Sequence, residues 1–134
     1  IFLENKSGRL TEVLEALGRE KINVTALTIA DTSEYGILRL IVSKPEMAYI
    51  LLREKGFSVN LTEVLSITTP IEAGSFAKAL RIFSDENISI EYMYAFSLEK
   101  KAMIVLRTED TGKALLAIQK HKMELVKGSD LFEF

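Results

Sequence analysis

Two short stretches combine residue types that suit an anionic ligand. One is Asn5-Lys6-Ser7-Gly8-Arg9-Leu10; the other is Ile71-Glu72-Ala73-Gly74, followed by Ser75 and Phe76. In each, a glycine stands where a helical pattern begins. Glycine lets a ligand approach the backbone closely. The first turn of a helix leaves N–H groups unpaired, and the helix dipole favours negative charge there. An α-carboxylate meets both requirements. A ligand ammonium needs acceptors, and the side-chain oxygens of Asn5 and Asn23, or carbonyls at the start of the following strand, would supply them. Arg9 would pair with a carboxylate. The same residues also read as architecture alone. The glycine permits a tight strand-to-helix turn, Asn23 hydrogen-bonds a turn at a strand edge, and Arg9 is solvated. The local residues leave both readings open.

Other chemistries have no equipment in this chain. It has no cysteine, which excludes thiolate nucleophiles, disulfides, zinc ribbons and iron–sulfur clusters. Its one histidine, His121, lies between Lys120 and Lys122 and reads as the exposed basic last turn of a helix. Asp85-Glu86 and Glu109-Asp110 fit helix ends and turns. There is no phosphate-binding glycine loop and no nucleophile elbow. Catalysis, a metal and a cofactor are therefore not expected. The net charge is −2 and the pI is near 5.5, which argues against nucleic acid. No run approaches the roughly 18 apolar residues of a membrane span. No secretory signal is visible, so the cytoplasm is the expected compartment.

These stretches sit in a chain that repeats itself. A shift of 66 positions lays Gly8 on Gly74, Leu14 on Leu80, Glu20 on Glu86, Ile22 on Ile88, Leu40 on Leu106 and Ala48 on Ala114. Each half opens with a short apolar run, at 1–3 and 64–69. An amphipathic stripe follows, Leu10, Val13, Leu14 and Leu17 in one half and Phe76, Ala79, Leu80 and Phe83 in the other. Next come two β-rich runs, 22–30 and 36–43, then 88–97 and 102–108. Asp31-Thr32-Ser33-Glu34 and Glu99-Lys100-Lys101 read as the hairpin turns between them. A second helix starts near Pro45 and ends at Gly56, and its counterpart is capped by Asp110. A last strand is expected at 57–61 and at 123–127.

The order is βαββαβ twice, an α+β class of two tandem ferredoxin-like modules with antiparallel sheets and helices on one face. The expected domains are 1–62 and 63–134. Each is small, so its own core is thin. Tyr92, Tyr94 and Phe96 form a period-two row that matches Ala26, Thr28 and Ala30, large against small. This reads as complementary packing rather than as a base-stacking surface.

The turn Asn5-Lys6-Ser7-Gly8-Arg9-Leu10, followed by Lys21-Ile22-Asn23-Val24, resembles the ACT-domain signature. The resemblance extends over both halves. In the second, Ile71 replaces the polar turn residue, Phe76 the leucine and Ser89 the asparagine, while Gly74 is kept. ACT domains are regulatory modules that commonly bind an amino acid between paired modules. The resemblance therefore implies a ligand site at Asn5, Lys6, Ser7, Gly8, Arg9, Leu10, Asn23 and Val24, and at Gly74, Ser75, Phe76, Ser89 and Ile90, weighted to the first half. It implies an allosteric regulatory protein that binds an amino acid or similar metabolite and modulates a partner enzyme. A homodimer is expected from exposed sheet edges. The alternative is an interaction subunit with no ligand of its own.

Overall fold

The stripe at Leu10, Val13 and Leu17 needs an apolar surface to cover it. The alternating strand residues Leu38, Leu40 and Val42 provide one, and all six belong to one core. The structure, a computed structural model, describes residues 1–4, 6–31 and 35–126. It divides into two compact units, Ile1–Thr62 and Glu63–Phe134. The first contains β1 (Phe2–Glu4), α1 (Arg9–Arg19), β2 (Val24–Asp31), β3 (Tyr35–Val42) and α2 (Pro45–Glu54). The second contains β4 (Leu65–Pro70), α3 (Ser75–Asp85), β5 (Ile90–Leu98), β6 (Lys101–Thr108) and α4 (Thr111–Lys120). Each has an antiparallel sheet, in the orders β1-β3-β2 and β4-β6-β5.

The 66-residue repeat extends to backbone geometry. α1 and α3 match at that offset, as do α2 and α4. The register shift between Val24 and Ala26 recurs between Ile90 and Tyr92. Left-handed residues recur too: Gly8, Lys21 and Gly56 have φ of 87°, 55° and 88°, and Gly74, Asn87 and Lys122 have 85°, 56° and 52°.

All four helices end in the same way. The left-handed residue donates its N–H to a carbonyl three residues back, as in Lys21 to Gly18 (3.0 Å) and Gly56 to Arg53 (2.9 Å). The next residue donates to a carbonyl five back: Ile22 to Leu17, Phe57 to Leu52, Ile88 to Phe83 and Met123 to Ile118. This arrangement satisfies the last carbonyls and folds an apolar residue back onto the helix.

It also explains where the sequence reading overreached. The expected strands at 57–61 and 123–127 are each reduced to a single antiparallel bridge, Phe2↔Ser58 and Ile67↔Leu125. The N–H groups of Phe57 and Met123 are already committed to helix ends. Ladder bonding begins only at Ser58, which accepts from Phe2 N–H (3.0 Å), and at Glu124, which accepts from Thr68 N–H (3.1 Å). Lys127 and the turn residues Thr32, Ser33 and Glu34 lie outside the described residues.

Each unit has its own core. In the first, Val13, Leu17, Leu38 and Leu52 are fully buried. In the second, Phe83 takes the place of Leu17, beside Ile67, Ile104, Leu106 and Ile118. Ile90 and Met93 pack against that core, so Tyr92, Tyr94 and Phe96 project from the opposite sheet face. Tyr92 and Tyr94 meet edge to face, with centroids 6.0 Å apart. Ala26, Thr28 and Ala30 pair with Ile41, Arg39 and Ile37, also on the face away from the helices. The helical stripes are wider than the cores they serve. Phe76 is 43% exposed, and Leu14 is only half-buried.

Thr108 is 2% exposed, and its hydroxyl has no hydrogen-bond partner. The first unit has Val42 at that place. Thr108→Val should stabilise the protein by about 1 kcal/mol, because an unpaired buried hydroxyl is a cost that valine lacks. A fall in the urea midpoint would show that the hydroxyl has a partner after all. Lys122 holds the left-handed position that Gly56 holds in the first unit. Lys122→Gly should add about 0.5–1 kcal/mol on the same measurement, by removing the side-chain penalty at positive φ.

Candidate functional site

The turns before α1 and α3 share one geometry. Gly8 (φ 87°, ψ −10°) and Gly74 (φ 85°, ψ −5°) are left-handed N-cap residues. A Cβ at either would meet nothing within 4 Å, so the requirement for glycine lies in the backbone angle and not in crowding. Neither helix has a side-chain cap. The Arg9 N–H reaches the Lys6 carbonyl at 3.3 Å, and the Ser75 N–H reaches that of Glu72 at 3.2 Å. Glu12 and Lys78 N–H groups then donate to the Gly8 and Gly74 carbonyls, both at 2.9 Å. In between, the amides of Leu10 and Thr11, and of Phe76 and Ala77, have no capping side chain. The other two helices resolve this end differently. Asp110 Oδ1 accepts from the Lys113 N–H at 3.0 Å, and α2 begins with Pro45, which has no N–H.

Around the first turn, Lys6 pairs with Glu4 at 2.8 Å, Ser7 is exposed, and Asn5 lies outside the described residues. Arg9 is held rather than solvated. Its guanidinium stacks 4.6 Å from the Phe57 ring centroid, and its Nη1 donates to Glu12 at 2.9 Å. Its Nε is buried without a partner. The Glu12 contact follows from i,i+3 spacing; Phe57 is distant in sequence, and no local signal pointed to it. Leu10 and Val24 are partly buried and pack against the core. Asn23 joins the strand end: its N–H donates to Ser43 Oγ (3.0 Å), and its carbonyl accepts from the Ser43 N–H (2.9 Å). Its side chain is exposed. In the second unit Ser75 is half-buried, Phe76 and Ser89 are exposed, and Ile90 packs against the core.

One unit does not bring all these residues together. Gly8 precedes α1 and Asn23 follows it, and an 11-residue helix is about 16 Å long. The same helix length separates Gly74 from Ser89 and Ile90. The turn and the strand start thus lie at opposite ends of one helix, beyond the reach of one amino acid.

An open groove of about 410 Å³ runs between α3 and β5, lined by Ala77, Leu80, Arg81, Phe83, Ser84, Ile88 and Ile90. Of these, Ile90 alone is among the ligand residues that the family resemblance implies, while Leu80, Phe83 and Ile88 read from sequence as core or repeat positions. The available signal was the surplus width of the apolar stripe at Leu80. Ser84 Oγ donates to the Arg81 carbonyl at 3.0 Å. Among the described residues, no group of three or more metal-ligating side chains comes together.

Two carboxylates near helix ends are neutralised locally. A hydrogen bond from Lys6, then the Lys6 charge and a smaller contribution from Arg9, hold Glu4 below the usual carboxylate range. Glu86 is lowered first by a hydrogen bond from Lys120 and then by one from His121, at 2.9 and 3.4 Å. His121 indeed stands at the C-cap of α4, as its neighbours implied.

A family model for the ACT domain pair matches residues 1–134. The chain belongs to the ACT domain pair family. No functionally curated protein matches it in sequence. The crystal structure of protein BT0572 from Bacteroides thetaiotaomicron is 46% identical, with a TM-score of 0.95 over 100% of this chain and 93% of that one. The ligand-free regulatory subunit of aspartate kinase from Thermus thermophilus shares 15% identity and a TM-score of 0.64, over 90% and 87% of the two chains. The Thermus flavus regulatory subunit of the same enzyme is similar, at 14% identity and a TM-score of 0.55, with the same coverage. This ACT domain pair therefore has two repeats of the family's fold, each with its own glycine turn.

The carboxylate of Glu4 should titrate below the ordinary value by carbon-detected NMR and return toward it in Lys6→Met. Because its pKa is depressed in the fold, Glu4 contributes stability above its unfolded pKa and loses it as pH falls through the folded one. An unchanged midpoint in Lys6→Met would remove Lys6 as the cause.

Proposed function

We propose that this ACT domain pair is a regulatory protein that binds an amino acid at its glycine turns and modulates an enzyme of amino-acid metabolism. The carrying observation is the pair of uncapped helix N-termini, each preceded by a left-handed glycine with open space beside it. Such an end favours a carboxylate by both its free amides and its dipole. Gly8, Ser7 and Arg9 in the first unit, and Gly74 and Ser75 in the second, are the proposed ligand contacts there. Asn23 and Ser89 are proposed to serve the ammonium from a paired module, since each lies a helix length from its own turn. The apolar groove at Leu80, Ile88 and Ile90 offers room for an aliphatic side chain. The regulatory subunits of aspartate kinase that share this fold support a regulatory role without catalysis. A homodimer in the cytoplasm is the proposed working form.

A second reading keeps the regulation and drops the ligand. Met47, Ile50 and Leu116 are exposed apolar residues on α2 and α4, a pattern that suits a protein partner.

Thermal shift against the twenty amino acids separates the two. A ligand at a hundredfold excess over its dissociation constant stabilises the fold by about 2.7 kcal/mol. At least one amino acid should raise the melting temperature, and Gly8→Ala should abolish that rise. Gly56→Ala imposes comparable strain at φ 88° away from the turn, and it should lower the melting temperature while keeping the rise. No shift with any amino acid would favour the interaction subunit.

A further inference from the structure

The groove between α3 and β5 joins an apolar lining to one cation. Phe83 and Ile88 are buried in it, and Leu80 and Ile90 are half-buried. Its volume of about 410 Å³ falls in the range of small-molecule sites, which are mostly apolar with a few polar groups. Arg81 and Ser84 are the polar groups here, and their i,i+3 spacing puts them on one face of α3. Ser84 Oγ donates to the Arg81 carbonyl at 3.0 Å, so its hydrogen is committed. Arg81 is exposed, and its guanidinium makes no ion pair among the described residues. The first unit differs at these places. Glu15 stands for Arg81 and Gly18 for Ser84, and Glu15 is already paired with Arg19 at 3.6 Å.

We infer that this groove binds a small aliphatic carboxylate that carries no ammonium group, with its carboxylate on the Arg81 guanidinium and its chain along Leu80, Ile88 and Ile90. A guanidinium presents parallel N–H donors that match a carboxylate. The apolar lining favours each methylene removed from water. The exclusion of an ammonium follows from what lines the groove. No carboxylate or amide side chain does so. Ser84 Oγ is the one side-chain acceptor, and it lies one turn from the Arg81 cation, which repels a second positive charge. Asp85 and Glu86 follow Ser84 in sequence but do not line the groove, and Glu86 is taken by Lys120 at 2.9 Å and His121 at 3.4 Å. The ligand thus differs from the one proposed at the glycine turns, where an amino acid needs acceptors for its ammonium. At the matching place in the first unit Glu15 repels the same carboxylate, so one ligand per chain is expected. The inference goes beyond the proposed function, in which the groove only houses the side chain of an amino acid, and it needs neither that amino acid nor a second copy.

Methyl-detected NMR of the full chain tests it, with isocaproate as the probe and leucine, the same skeleton with an α-ammonium, as the control. Isocaproate should shift the methyl signals of Leu80, Ile88 and Ile90 and saturate at one per chain. Leucine should bind there at least about tenfold more weakly, because like charges set side by side are strongly disfavoured. Arg81→Gln should weaken isocaproate by at least about tenfold, since hydrogen bonds to charged groups are the stronger ones. The same variant should leave binding of the uncharged isohexanol unchanged, which separates recognition of the head group from damage to the apolar lining. No shift at millimolar isocaproate overturns the inference, as does equal binding by the Arg81→Gln variant or an equal loss of the alcohol. A leucine response as strong as that of isocaproate also overturns it and returns the groove to the amino acid of the proposed function. Methyl shifts that follow protein concentration and ignore isocaproate show that a second copy covers the groove, and they overturn it too. The melting screen with Gly8→Ala reads the glycine turns separately.

Discussion

Every helix here ends by giving its last carbonyls to a backbone that has turned left-handed, and the rest of each unit depends on that reversal. The turn at Lys21, Gly56, Asn87 or Lys122 takes one residue. The next residue, Ile22, Phe57, Ile88 or Met123, folds back against the helix it has just left and anchors the following segment to the core. Helix end, core contact and strand start are thus one local event. Because it occurs at equivalent places in both halves, the strands that follow begin in the same register.

The reversal has a cost for the sheet. It uses the first amide of the segment after each second helix, so pairing beside β1 and β4 shrinks to a bridge. Hydrogen bonds at Ser58 and Glu124 hold those segments in place. Glu124 also accepts from Thr68 Oγ1 and Lys101 Nζ, both at 2.8 Å, so side chains tie this edge where the ladder is short. In this chain a helix terminus and a strand compete for the same N–H, and the terminus prevails.

The entrances to the first helices follow a different rule. Where α4 receives a carboxylate cap from Asp110, α1 and α3 receive a left-handed glycine and no cap. The glycine sets the direction of the chain but has no side chain to cap the first-turn amides. Such an end is tolerable in water, where solvent can reach the free amides. The two units thus keep their reactive backbone at a place where no side chain intervenes, and they differ in what surrounds it. Arg9 is clamped between Phe57 and Glu12, whereas Ser75 takes its place in the second unit.

Much of this was legible in the sequence because it depends on local spacing. Period-3.6 and period-2 apolar patterns, the glycines before α1 and α3, Pro45 and Asp110 at helix starts, and the 66-residue repeat all act over a few residues or recur at a fixed interval. They determined the βαββαβ order, the helices and the position of the turns. Tertiary structure alone decided what depends on distance through space. Phe57 came under Arg9 because a helix end folded back. Helix length set Asn23 apart from Gly8, although they are neighbours in the motif. The last segments kept one bridge each, and the first amide of each is bound to the helix it follows. Leu80 turned toward a groove with Arg81, since the core needed only part of the apolar stripe. A pattern tells which residues avoid water, but only the packed fold tells which of them remain uncovered.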